Sequence, residues 1–112
     1  MTRCGMETQN QGWTFADSEE VPWQAMGPGV EMKSLGVAGG RLMALFRFDA
    51  GYEGGVHHHD DAEFTYVLDG DLVSNGVTML TGHGYAVEAG TDHTEFRSAG
   101  GATVLSVFAI PG

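Results

Sequence analysis

Apolar and polar residues alternate along much of the chain with the two-residue period of a β-strand. The clearest example is the segment RLMALFRF at residues 41–48. Every second residue from Leu42 to Phe48 falls on one face, whereas Arg41 and Arg47 fall on the other. No segment carries a sustained run at the helical period of about 3.6 residues. The pattern therefore predicts an all-β chain.

Short runs rich in β-branched and aromatic residues predict further strands, separated by turns that contain glycine or asparagine. The predicted strands lie at residues 29–35, 41–48, 63–68, 71–74, 77–80, 85–87, 93–97 and 103–110. Asp69-Gly70 and Asn75-Gly76 are both dipeptides typical of a two-residue hairpin turn. About eight short strands at this spacing favour a sandwich or a closed barrel such as a jelly roll, because these folds leave few exposed sheet edges.

The composition fits one small domain with many turns. The chain has 112 residues, and its 18 glycines are spread along its length; that length matches a single domain. Residues 1–20 are polar and rich in turn formers, so we expect a partly flexible N-terminal arm followed by a barrel domain at residues 21–112. Cys4 is the single cysteine, and we interpret it as a bystander in that arm rather than a nucleophile.

The charge and the hydropathy limit the partners. The net charge is −10, from 15 acidic and 5 basic residues. Such a chain repels phosphate backbones, so nucleic acid is not expected as a partner. The longest apolar runs are too short to cross a bilayer, so no membrane association is expected. A single cysteine and a polar N-terminus fit a cytoplasmic location, which is the expected one.

A histidine-rich segment, HHHDDAE at residues 57–63, carries the candidate chemistry. His57 and His59 are two residues apart, so on an extended segment they share one face with their Cβ atoms about 7 Å apart. His58 points the other way. Glu63 opens the next strand, and His93 begins another strand that can lie beside it. Imidazole and carboxylate groups at this spacing predict one divalent metal site, formed by three histidines and Glu63.

These residues resemble the first sequence motif of the cupin family. That motif is a glycine, five residues, His-x-His, three or four residues, a glutamate, six residues and a glycine. The chain matches it at every position, with Gly51, His57, His59, Glu63 and Gly70.

The second half of the chain resembles the second cupin motif, with two departures. Gly82, Gly90 and His93 match its two glycines and its histidine. Glu88 stands where the family usually has proline, and Arg97 where it usually has asparagine. Both departures affect turn geometry and strand packing, not the metal ligands.

The resemblance implies a double-stranded β-helix, the jelly-roll barrel of cupins, with the metal inside one mouth. It also implies a homodimer, in which the segment at residues 23–35 covers an open sheet edge. The donor set alone suits Fe(II), Mn(II), Ni(II), Cu(II) and Zn(II) alike.

Three classes of function remain open, each with a small molecule as substrate or ligand. The first is a metal-dependent dioxygenase that uses Fe(II) to oxidise an enolisable, dicarbonyl or phenolic compound. Residues 21–36 look more loosely like the opening of diketone-cleaving dioxygenases and of the barrel in zinc-dependent anti-sigma factors. The second is a redox-neutral isomerase or lyase with Mn(II), Ni(II) or Zn(II). The third is a non-catalytic cupin that binds a metal or a small ligand.

Three further residues are candidates for catalysis. Glu95 shares strand parity with His93, so it is a candidate proton acceptor, or otherwise a barrel-mouth carboxylate paired with an arginine. Arg47 can orient a substrate carboxylate or enolate, or lie solvated on the outer face. Tyr66 can donate a phenolic hydrogen bond to a ligand, or pack on the sheet.

Overall fold

The computed structural model describes residues 11–110, so Cys4 and the first half of the predicted arm lie outside the described residues. Within that span the chain forms eleven strands. They are β1 (Gln24–Gly27), β2 (Val30–Ala38), β3 (Arg41–Phe48), β4 (Tyr52–Glu53), β5 (His57–His59), β6 (Glu63–Ser74), β7 (Val77–Leu80), β8 (Gly84–Val87), β9 (Thr91–His93), β10 (Phe96–Ser98) and β11 (Ala102–Ala109). The described part of the chain contains no helix long and apolar enough to cross a membrane.

One long strand, β6, joins the two larger layers of the fold. Its first half pairs with β11 on one side and β8 on the other, and β11 continues through β3 and β2 to β1. Its second half pairs with β7 and β10, and β10 continues to β4. β5 and β9 form a separate two-stranded sheet. All pairings are antiparallel, and the curled sheet forms the half-barrel of an all-β jelly roll, as the sequence predicts.

The inner face of this sheet carries the core. Leu42, Ala44 and Phe48 are buried along β3, which confirms the two-residue period read from the sequence. Buried residues from β3 and from three other strands, β6, β7 and β11, form one apolar cluster: Phe48, Val67, Leu72, Met79, Ala102 and Val104. Burial of these side chains is the main source of stability for a sheet of this kind.

The two predicted hairpin turns have different outcomes. Asn75-Gly76 is a two-residue turn between β6 and β7, and both residues have positive φ, 49° and 79°. That conformation is the one required by the turn type which the dipeptide predicts. The prediction at Asp69-Gly70 is wrong, because β6 continues through this dipeptide from Glu63 to Ser74.

Gly70 bends β6 instead of ending it. The pairing with β11 shifts register beside it, between Thr103 and Val104, so the strand carries a β-bulge. Gly70 has a φ of 94°, and a Cβ at this position would overlap the carbonyl oxygen of Gly101. The glycine therefore serves a close backbone approach where β6 passes from one layer to the other.

The strand predicted at residues 93–97 is interrupted. β9 ends at His93 and β10 begins at Phe96. At the break, the side-chain oxygen of Asn75 accepts a hydrogen bond of 2.8 Å from the backbone N–H of Thr94. Because Thr94 and Glu95 lie outside a ladder, the parity argument that links Glu95 to His93 does not hold.

Candidate metal centre

Three histidine side chains converge where β5 and β9 pair. His57 lies directly opposite His93 in the register, and His59 lies two residues further along β5. The ring centroids are 4.9 Å apart for His57 and His59, 4.4 Å for His57 and His93, and 4.3 Å for His59 and His93. One nitrogen from each ring lies within 4.8 Å of the others. His58 points away and contacts the Asp92 carboxylate, as the two-residue period predicts.

Glu63 places its two carboxylate oxygens in different surroundings. Oε1 lies 3.5 Å from Nδ1 of His59. Oε2 accepts hydrogen bonds from the Tyr85 hydroxyl at 2.8 Å and from Thr65 Oγ1 at 3.2 Å. One oxygen therefore faces the histidines and the other faces hydroxyl donors.

Burial favours the neutral form of two of these imidazoles, His93 and His57. Burial, followed by the neighbouring rings of His57 and His59, lowers the pKa of His93 to about 4. Burial and then His59 also lower the pKa of His57. A neutral imidazole is the form that binds a metal, because its free nitrogen carries a lone pair.

The donor set fits a divalent metal ion. His59 Nε2 and both ring nitrogens of His93 are buried without a hydrogen-bond partner among residues 11–110. Each such group costs about 1–3 kcal/mol when it is left unsatisfied. A bound cation gives one nitrogen of each ring a partner and offsets part of that cost. Imidazole and carboxylate without thiolate suit first-row divalent metals.

Two of the histidines, His57 and His93, line an apolar cavity of about 270 Å³. Aromatic and aliphatic side chains form much of its lining: Val30, Phe46, Phe48, Phe96 and Phe108. Its polar lining residues include His57, His93 and Glu63. Among the described residues that line it, none is lysine or arginine. The cavity can therefore hold a small, largely apolar molecule with its polar end towards the histidines.

Similarity along nearly the whole sequence identifies the protein family. A family model described as the ChrR cupin-like domain matches residues 11–109. The chain belongs to this cupin family. No curated protein matches the chain.

Solved structures share the fold at low sequence identity. An RmlC-like cupin from Shewanella frigidimarina is 24% identical, with a TM-score of 0.76 over 93% of this chain and 94% of that one. An acetylacetone dioxygenase from Acinetobacter johnsonii is 13% identical, with a TM-score of 0.72 over 97% and 80%. The complex of Rhodobacter sphaeroides SigE with the anti-sigma ChrR is 24% identical, with a TM-score of 0.71 over 80% and 49%.

The three residues named as catalytic candidates from the sequence do not line the cavity of this cupin. Glu95 is partly exposed and pairs with Arg97 at 2.8 Å, which also helps to lower the Glu95 pKa. Arg47 pairs with Glu31 at 2.6 Å on the outer face and stacks on Trp23. Tyr66 is 48% exposed. The catalytic roles of all three residues stay predictions.

Other residues at the site were not singled out from the sequence. Thr65 and Ser106 line the cavity, and Thr65 bonds Glu63 directly. Thr65 follows Glu63 at period 2, so the strand pattern already placed both on one face. Asn75 was identified only as a turn residue, although its side chain bonds the backbone on both sides of His93. No local pattern predicts a contact that spans so many residues.

Proposed function

We propose that this cupin binds one divalent metal ion through His57, His59, Glu63 and His93, and that it is a mononuclear metal-dependent dioxygenase. Fe(II) is the proposed metal, and the substrate is a small enolisable, dicarbonyl or phenolic compound. The observation that carries the proposal is the convergence of three imidazoles beside an apolar cavity, two of them with buried nitrogens that have no partner among residues 11–110.

Each part of the chain has a role in this reaction. Fe(II), when bound, supplies Lewis-acid and one-electron redox chemistry. The aromatic walls bind the apolar part of the substrate and exclude water from the polar end. Because no lysine or arginine lines the described cavity, the chain itself offers no cation for a substrate anion. A substrate that becomes anionic by losing a proton at the site fits better than one that arrives as a carboxylate.

The dioxygenase class has support over the isomerase or lyase class. An isomerase needs a side chain that moves a proton, and Glu95, the candidate for that role, lies in an ion pair with Arg97 outside the cavity. Glu63 accepts two hydrogen bonds and faces the histidines. The acetylacetone dioxygenase of Acinetobacter johnsonii shares the fold, which supports the class without fixing the substrate.

A second candidate is a non-catalytic cupin that binds a metal or a small ligand. The match to a ChrR cupin-like family model and the shared fold with the anti-sigma ChrR favour it. It needs the same metal site and cavity but no turnover. A saturable ligand with no product separates it from the dioxygenase.

We also propose that the protein is a cytoplasmic homodimer. β1 ends the sheet on one side as described, with β2 as its paired neighbour. A second copy that covers this edge would protect its backbone groups. Light scattering on the purified chain tests the oligomeric state, and a monomer at all concentrations contradicts it.

The decisive experiment is metal analysis of protein purified anaerobically, as the native chain and as His59→Ala, followed by oxygen-electrode assays with diketones and catechols. Near-stoichiometric iron that is lost in the variant, together with substrate-dependent oxygen uptake, supports the dioxygenase. Zinc, nickel or manganese without oxygen uptake favours the non-catalytic cupin or the isomerase. Absence of any bound metal after reconstitution overturns the proposal.

A further inference from the structure

Three hydroxyl groups form a row across neighbouring strands on the inner face of the sheet. Ser106 on β11 lies opposite Thr65 on β6, and Thr65 lies opposite Tyr85 on β8. The Oγ atoms of Ser106 and Thr65 are 2.8 Å apart. Thr65 and Tyr85 both donate to Oε2 of Glu63, at 3.2 Å and 2.8 Å. Thr65 and Ser106 are each only 5% exposed.

The proton count gives this row a direction. A threonine hydroxyl has one proton to donate. Since Thr65 donates it to Glu63, Ser106 is the donor in its bond with Thr65. The hydroxyl groups of Thr65 and Tyr85 therefore both donate to one carboxylate oxygen, Oε2. The other oxygen, Oε1, is left facing His59.

We infer that this hydroxyl row fixes Glu63 as a one-oxygen metal ligand, with Tyr85 as its main positioning residue. The inference rests on the proposed function, since it assumes that Glu63 binds the ion. Two donors on Oε2 oppose rotation of the carboxylate and compete with metal binding by that oxygen. Glu63 then coordinates through Oε1 alone, which keeps one more metal position free for substrate.

The Tyr85 side chain has two separable parts. Its ring lies edge-on to His93, with centroids 5.8 Å apart, and a phenylalanine ring would pack there equally well. Only the hydroxyl reaches Glu63. Tyr85→Phe therefore removes the bond to Oε2 and keeps the packing.

The test uses anaerobic titration of the full chain with Co²⁺ alone, followed by visible absorption. Partners of metal ligands typically contribute about 10–100-fold to metal affinity, so we expect Tyr85→Phe to weaken Co²⁺ binding by about 10-fold or more. We also expect a changed Co²⁺ absorption band, because Oε2 of Glu63 loses the shorter of its two hydrogen bonds and becomes more available to the metal. Tyr52→Phe is the matched control: Tyr52 lines the same cavity, and its hydroxyl makes no hydrogen bond with a proposed ligand in the described chain.

A double-mutant cycle decides whether Tyr85 acts through Glu63. In a Glu63→Ala background, Tyr85→Phe should change Co²⁺ affinity by less than about twofold. An equal loss in both backgrounds overturns the inference, because Tyr85 then acts by another route. So does native-like affinity and absorption in Tyr85→Phe while the native chain binds Co²⁺. A native chain that takes up no Co²⁺ overturns the proposed function, and this inference with it.

Discussion

The long strands of the sheet and the short strands at its mouth differ in length and in the side chains that they carry. β2, β3, β6 and β11 have 9, 8, 12 and 8 residues and pair along nearly their full length. β4, β5, β9 and β10 have two or three residues each. The long strands hold most of the apolar core, whereas β5 and β9 hold the three histidines.

The difference shows where each region obtains its stability. The long strands satisfy most of their backbone groups in ladders and bury apolar side chains, and neither contribution requires a ligand. The mouth buries three imidazole nitrogens without a partner in the described chain. That arrangement is costly until a cation is bound. The long strands are therefore stabilised by the chain's own contacts, whereas a bound cation would complete the mouth.

The largest expected effect on stability comes from a substitution at the bend of β6. Gly70→Ala should lower the free energy of unfolding by about 4 kcal/mol or more, or prevent folding. The residue has a φ of 94°, and the added methyl group would overlap backbone atoms of Gly101 and Ala102. Urea denaturation followed by circular dichroism measures the loss.

Gly76→Ala is the control for that prediction. Gly76 also has a positive φ, 79°, but a Cβ there meets no atom within 4 Å. We expect a loss of about 1 kcal/mol from backbone strain alone. Equal losses in the two variants would show that the close approach at Gly70 is not the cause.

The second effect is stabilisation by a bound metal, and it concerns only the mouth, where the three histidines lie. A divalent metal at about 100 times its Kd should raise the free energy of unfolding of the native chain by about 2.7 kcal/mol. His93→Ala should lose most of this gain, since it removes one of three converging imidazoles. Thermal unfolding with and without Co²⁺ gives both values. Equal stabilisation of the two proteins would place the metal elsewhere.

The same contrast explains which features the sequence could predict. Alternation from Leu42 to Phe48 identifies β3 because a half-buried strand needs that pattern. His57 and His59 are identified by the same period. The hairpin prediction at Asp69-Gly70 is wrong because a glycine with positive φ occurs in a β-bulge as well as in a hairpin turn.

Tertiary contacts at the mouth were beyond local patterns. The row from Ser106 through Thr65 to Tyr85 depends on the register of three strands, two of them far apart in the chain. The break at Thr94 depends on a hydrogen bond to the Asn75 side chain, which lies in a turn distant in the sequence. Period-2 reasoning predicts faces within one strand, but it does not predict which strands meet.

A smaller effect concerns the tie between the two regions. Asn75 accepts from Thr94 N–H at 2.8 Å and donates to the Asp92 carbonyl at 3.0 Å. Asn75→Gly keeps the positive φ of the turn and removes both bonds, together with the longer ones that Oδ1 accepts from Thr94 Oγ1 and the Glu95 N–H. We expect a loss of about 1 kcal/mol or more in the free energy of unfolding. Metal affinity should fall as well, since His93 lies between the two bonded residues. Calorimetric titration with Co²⁺ measures this fall.

Asn75→Asp refines that test. It keeps the acceptor for Thr94 and replaces the donor to Asp92 with a second oxygen. A result between the native chain and Asn75→Gly supports the tie. Native affinity in Asn75→Gly would show that β9 is held by its pairing with β5 alone.

The smallest effect concerns the exposed ion pair of Glu95 and Arg97. Both side chains are partly solvated, at 37% and 44% exposed, so Arg97→Ala should change the free energy of unfolding by no more than about 0.5 kcal/mol. Glu95 keeps its other bond, from the backbone N–H of Gly76 at 3.0 Å. Urea denaturation at low and high salt measures the change. A loss of metal affinity in this variant would instead connect Glu95 to the histidines, and the boundary between the mouth and the solvated surface would then have to move outward to include it.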